Sequence, residues 1–170
     1  MSENEYGVMV DEQTMRFERL LPGPIERVWA YLVESDKRAE WFAGGELEPR
    51  VGGALELTFR HSTLTPHNEI APEEYRKYEG CSFTCRVTRY EPPHVLAYTF
   101  GDGEDGEVTF ELTEQGNRVL LVLTHSRLPD RKTMRNVSGG WYSHLAVLTE
   151  KLHGRIPAPF WETHARAEAE

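Results

Sequence analysis

A chain of 170 residues with two cysteines and a net charge of -9 sets limits before any motif is read. Its length suits one globular domain that buries roughly 70% of the unfolded chain's surface, so no disulfide or metal staple is required. The negative charge repels phosphate backbones, and the Lys and Arg residues are scattered rather than gathered into a stripe with aromatic residues. This argues against a nucleic-acid partner and leaves the charge the plainer role of keeping the chain in solution.

Met1 to Gln13 is polar and acidic, with neither a basic nor an apolar leader region, and reads as a flexible N-terminus. No apolar run approaches membrane-spanning length, so the expectation is a cytoplasmic protein without a membrane partner. Met15 to Leu21 alternates as a first strand and ends at Pro22, Gly23 and Pro24. A helix follows whose apolar face is Val28, Trp29, Leu32 and Val33. Ser35 and Asp36 then suit the cap of a second short helix, Lys37 to Phe42, which delivers Trp41 and Phe42 to Gly44 and Gly45.

After Gly52 and Gly53, Ala54 to Arg60 reads as a strand with Leu55, Leu57 and Phe59 on one face. His61 to Glu79 has no clear period and two prolines, and reads as an excursion over the mouth of a pocket, with a helical turn around Glu73 to Tyr78. Four further strands follow in meander order: Cys81 to Tyr90, Val95 to Phe100, Glu107 to Thr113 and Arg118 to His125. Turn chemistry separates them at Glu91 to Pro93, Asp102 to Gly106 and Gln115 to Asn117. Cys81 and Cys85, on one face of a strand with Cα atoms about 13 Å apart, cannot bridge each other.

Arg131 to His153 is the long helix, because Met134, Val137, Trp141, Leu145, Leu148 and Leu152 recur at spacings of three and four. Pro129 and Asp130 mark its start, and Gly154 and Pro157 its stop. Gly139 and Gly140 each cost a helix about 1 kcal/mol relative to Ala, which predicts a close approach to another surface there. A sheet laid against one helix is the simplest assembly, with Thr163 to Glu170 as a fraying tail.

Several motifs carry no chemistry. Gly101 to Gly106 matches G-x-G-x-x-G, but its acidic residues would repel a pyrophosphate and a strand follows instead of a helix. A solvated hairpin tip is the plainer reading of those acids than a surface calcium site, since EF-hand spacing is absent. The sequon at Asn136 to Ser138 falls inside the long helix. The seven histidines and two cysteines include no metal-ligand spacing, so no metal and no cofactor is expected. A nucleophile elbow and a P-loop are both missing.

What remains is an inward set. If Leu121 and Leu123 point into the core, period two puts His125 on the same face beside the start of the long helix. There it can hold a ligand oxygen or act as a base, and it is the one weak catalytic candidate. A core histidine satisfied by backbone is the plainer reading. Trp141, His144 and Leu145 on the helix, with Trp41, Phe59, Phe83, Cys85, Tyr98 and Phe110 opposite, are the candidate ligand-binding residues. Each of them, taken singly, also suits a packed core.

The runs RLLPGPIERVWAYLVESDKRAEWF (Arg19 to Phe42), VGGALELTF (Val51 to Phe59), RVTRYEPPHVLAYTF (Arg86 to Phe100), VTFELTEQGNRVLLVLTHSRLP (Val108 to Pro129) and GGWYSHLAVLTEKLHG (Gly139 to Gly154) together resemble one family. It is the activator of Hsp90 ATPase homologue 1-like family of the START-like, or SRPBCC, superfamily. The resemblance implies an α+β helix-grip fold in which a curved antiparallel sheet wraps the long C-terminal helix. It implies one such domain over residues 14–156, with an extended loop at 61–79 and a tail at 157–170. Members of the superfamily often keep a cavity for apolar small molecules, so a hydrophobic small molecule is the expected partner, bound without catalysis. The alternatives are an enzyme resembling the cyclases and aromatases, with His125 as base, and an interaction module that forms a homodimer or contacts a chaperone. The eukaryotic cochaperone that names the family uses an additional N-terminal domain to engage Hsp90, for which this chain has no room, so Hsp90 activation is not expected.

Overall fold

Eight short segments pair into one antiparallel sheet, and the computed structural model describes residues 8–11, 13–59, 82–99, 106–128 and 131–154. The elements in chain order are β1 (Val8–Asp11), β2 (Thr14–Pro22), α1 (Ile25–Val33), α2 (Ser35–Arg38), β3 (Ala43–Gly44), β4 (Ala54–Phe59), β5 (Ser82–Glu91), β6 (Val95–Thr99), β7 (Glu107–Gln115), β8 (Arg118–Ser126) and α3 (Arg131–Leu152). Spatial order is β1-β2-β8-β7-β6-β5-β4-β3. The last four strands form the expected meander, and β2 closes onto β8. Sheet and long helix together make the helix-grip, START-like arrangement.

Register explains why one face is apolar. Met15, His125, Val108, Tyr98 and Val87 stand opposite one another across β2, β8, β7, β6 and β5, and all five are buried. The next inward row is Phe17, Leu123, Phe110 and Leu96. Because side chains alternate with period two, this register turns Glu111, Thr113 and Arg118 outward. Ile25, Val28, Trp29 and Leu32 form the buried face of α1, at the spacing one side of a helix requires. That face packs toward β7 and β8, and Trp29 reaches Tyr90 of β5 with ring centroids 5.7 Å apart. The Arg27 guanidinium donates to the Leu152 carbonyl at 3.1 Å, tying α1 to the last turn of α3, where a cation also suits the helix dipole.

Three local expectations change. Val8–Asp11 pairs with β2 as an additional edge strand, although its sequence carries little strand signal beyond two valines. The second helix ends at Arg38 instead of continuing to Phe42, so Trp41 and Phe42 are carried by the turn that follows. Ser35 does not cap that helix. It is the first helical residue, and its hydroxyl accepts from the Gly45 N–H at 2.9 Å. Gly45 has φ +127° and the Glu56 carbonyl where a Cβ would stand, so this close return of the chain to β4 needs glycine.

Along α3, Trp141, Leu145, Leu148 and Leu152 are buried and Val137 is half-buried, as the apolar spacing requires. The buried face is wider than that stripe, because Ser143, His144 and Val147 are buried too. Gly140 is a correction: a Cβ built there meets nothing within 4 Å among the described residues, so no close approach by them explains it, while the surroundings of Gly139 lie outside the described residues. The segments 60–81, 100–105, 129–130 and 155–170 lie outside the described residues. With them go the excursion at 61–79, the turn residues Asp102 to Asp105, the start signal at Pro129 and Asp130, and the tail.

Candidate functional site

The turn after α2 is held by hydrogen bonds that reach two helices. The Trp41 indole N–H donates to the Tyr31 carbonyl of α1 at 2.7 Å, and His144 Nδ1 lies 2.8 Å from the Trp41 carbonyl. A carbonyl only accepts, so His144 Nδ1 is the donor. Trp41 is thereby fastened to α1 by its side chain and to α3 by its backbone.

Rings then meet in the space between the long helix and the sheet. Phe42 lies 4.9 Å from Trp141 and 5.0 Å from the His144 ring, the latter edge-on. Phe110 of β7 stands edge-on to both Trp41 at 6.2 Å and Trp141 at 5.9 Å, and Tyr98 of β6 lies 6.2 Å from Phe110. These separations and tilts are those that aromatic quadrupoles favour. Of the sequence candidates, the structure brings Trp41, Tyr98, Phe110, His125, Trp141 and His144 into this one cluster. Leu145 is fully buried on the same helix, and Cys85 is a buried thiol opposite Leu55. Phe59 and Phe83 take their places in β4 and β5 by backbone, and their side chains lie outside the described residues.

His125 is fully buried, and the Trp141 indole donates to its Nδ1 at 2.9 Å. One of its partners is thus a side chain. Since Nδ1 accepts, the proton of the neutral ring is on Nε2, and that edge of the ring lies against Gly106. Gly106 has φ +92°, and an added Cβ would meet the Ser126 carbonyl and stand 3.1 Å from His125 Nε2. In this tautomer His125 offers a donor, while its acceptor nitrogen is already engaged by Trp141. That geometry does not suit a general base.

Two contributors escaped the sequence reading as site residues. Phe42 was visible as half of the Trp-Phe pair beside the glycines. Arg38, only 2% exposed, is the other. Its Nε donates to the Ala43 carbonyl at 2.8 Å, its Nη1 to the Leu32 and Val33 carbonyls at 3.3 Å, and its Nη2 to the Gly45 carbonyl. Spacings of three and four from Trp41 and Phe42 were its only signal. Burial lowers the affinity of this guanidinium for its proton. Burial also pushes the Tyr98 phenol well above its ordinary range, with the neighbouring Cys85 adding to the rise and Arg38 opposing it.

Among the described residues, no three His, Cys, Asp or Glu side chains gather as a metal set, and no helix is long and apolar enough to cross a membrane.

A curved antiparallel sheet closed over one long helix, with aromatic rings and buried polar groups between them, defines a START-like domain. The chain belongs to the family described as activator of Hsp90 ATPase homolog 1-like protein, whose model matches residues 22–153. It is similar to a Bordetella parapertussis protein solved by NMR in solution, at 53% identity over 96% of this chain and 86% of that one, with a TM-score of 0.82. Crystalline CalU16 from Micromonospora echinospora is 19% identical over 92% of this chain and 83% of its own, with a TM-score of 0.66. The Aha1 dimer from Colwellia psychrerythraea is 16% identical over 82% of this chain and 95% of its own, with a TM-score of 0.62. The last two show the fold alone. No curated protein matches the chain.

Proposed function

We propose that the protein binds a small apolar molecule between α3 and the sheet, with no chemistry required of it. One observation carries this reading: Tyr98, His125 and His144 are buried among the rings that meet between helix and sheet, and Arg38 is buried at the turn that carries Trp41 and Phe42. A core that only has to exclude water has no need of so many polar groups, each of which is costly to bury. A site that must enclose an apolar body and orient a polar end does. Enclosing ~300 Å² of apolar ligand surface contributes a gross stabilisation of about 7 kcal/mol before association costs, which supports micromolar affinity.

Native mass spectrometry of freshly purified protein, compared with the same sample denatured, tests this. The expected result is a discrete excess of small-molecule mass that disappears on unfolding and is reduced in Trp141→Ala. A native mass equal to the chain mass, together with no saturable binding of apolar probes, overturns it. An enzymatic reading has one supporting observation, a buried His144 whose ring is oriented by its Nδ1 bond to the Trp41 carbonyl. It predicts that His144→Gln abolishes turnover of a retained compound while leaving its binding intact.

A further inference from the structure

Two polar groups on the inner face lack the partners that burial demands. Tyr98 is 1% exposed, and its hydroxyl makes no hydrogen bond to any described residue. Arg38 presents five N–H groups to four carbonyl oxygens, those of Leu32, Val33, Ala43 and Gly45, so one N–H on Nη2 is left over. All four acceptors are neutral, and Arg38 forms no ion pair among the described residues. Glu46, the acid that bears on it most directly, is exposed.

The fold places the two groups in one region. Tyr98 stands opposite Val87 on β5, one inward position from Cys85. Cys85 faces Leu55 on β4, and β4 pairs in turn with Ala43 and Gly44 of β3, the strand against which the guanidinium is held. In keeping with that placement, Arg38 and Tyr98 each bear on the other's proton affinity and Cys85 bears on both.

A buried phenol without an acceptor and a buried cation without a counter-charge share one remedy. A neutral acceptor such as water would satisfy the hydroxyl and leave the charge uncompensated. An anionic oxygen would serve both, through charge-assisted hydrogen bonds that are stronger than neutral ones.

We propose that the Tyr98 hydroxyl and the remaining Nη2 N–H of Arg38 form a site for the acidic oxygen of an apolar ligand, a carboxylate or an acidic phenol. This rests on the reading of a ligand between helix and sheet and adds the ligand's chemical class to it. Aromatic rings around Trp41 and Phe110 receive the apolar body, and the acid points toward β6 and the turn after α2.

The experiment uses two probe pairs matched in apolar body, 2-naphthoate against 2-naphthylmethanol and dodecanoate against dodecan-1-ol. Each is titrated calorimetrically into the full chain at about pH 8, where the acids are ionised. Tyr98→Phe is the variant of choice, because it deletes only the hydroxyl, whereas replacing Arg38 would also release four carbonyls. In at least one pair the acid binds at least about tenfold tighter than the alcohol, as a hydrogen bond to a charged group implies. Tyr98→Phe then weakens the acid by about tenfold, leaves the alcohol within about twofold, and does not lower the thermal midpoint of the ligand-free protein. Equal binding of acid and alcohol in both pairs overturns the acid site and leaves the apolar reading standing. So does an acid preference that survives Tyr98→Phe, and so does a lowered midpoint, which would mean that the hydroxyl already has a structural partner such as water. Failure of every probe to bind overturns the acid site, and with a native mass equal to the chain mass it overturns the apolar reading as well.

Discussion

The indole of Trp141 joins helix to sheet twice over, lying edge-on to Phe110 of β7 at 5.9 Å and donating to His125 Nδ1 across 2.9 Å. Phe in its place keeps most of the apolar contact and removes the donor. Trp141→Phe is therefore expected to destabilise the fold by about 2 kcal/mol, the cost of a buried acceptor that loses its donor. For a chain of this length that lowers the thermal midpoint by roughly 4 to 8 °C. Differential scanning calorimetry checks it, and a midpoint within a degree of wild type would show that this bond contributes nothing. Tyr98 gives a second expectation. In the unfolded chain its phenol ionises near 10.0, whereas burial raises that value in the fold. Below the unfolded value both states hold the proton and pH has no leverage. Above it the unfolded chain releases the proton first, so stability is lost as pH rises, by at most about 1.4 kcal/mol per unit. Urea titrations at successive alkaline pH values should show this loss in wild type and a smaller one in Tyr98→Phe. Period-two counting from Leu121 and Leu123 was enough to turn His125 inward. Its partner was not legible, because a hydrogen bond between β8 and α3 leaves no mark on local spacing.

Helix α3 shows where spacing succeeds and where it stops. Trp141, Leu145, Leu148 and Leu152 recur at three and four, and all are buried. Ser143 and His144 are buried beside them although their polarity argues for solvent, so the true width of the buried face depends on what the sheet supplies opposite. Gly140 invited a packing explanation that the structure withdraws, since a Cβ there meets nothing within 4 Å among the described residues. With no steric cost to set against helix propensity, Gly140→Ala should stabilise the protein by about 1 kcal/mol. Chemical denaturation tests it, and a loss of stability would mean that atoms fill that space in solution. Arg38 is the opposite case. A charged residue in a polar stretch reads as surface, yet it closes the corner between α1 and β3 by donating to carbonyls whose positions only the folded backbone defines.

At the scale of the whole molecule, strand order followed from turn chemistry in the meander, and the helix grip from resemblance over most of the chain. The β1 pairing did not follow, because Val8–Asp11 gains its order from the β2 edge rather than from its own composition. Topology also dictates how a bound ligand must be felt. A molecule held between α3 and the sheet binds only the closed form, so at a concentration about a hundred times its dissociation constant it stabilises the fold by about 2.7 kcal/mol. That energy is distributed unevenly, because an amide exchanges through whichever opening exposes it. Amides of α3 around Trp141 to Leu148 and of β6, β7 and β8 can open to solvent only when the helix leaves the sheet, so a ligand there should slow their exchange most. Amides of β1, paired to β2 alone at the edge, fray without that motion and should be left nearly unchanged. Hydrogen exchange with and without a bound probe separates the cases. Protection concentrated on β1, or spread equally over every strand, would place the ligand outside the grip and reject the site between helix and sheet.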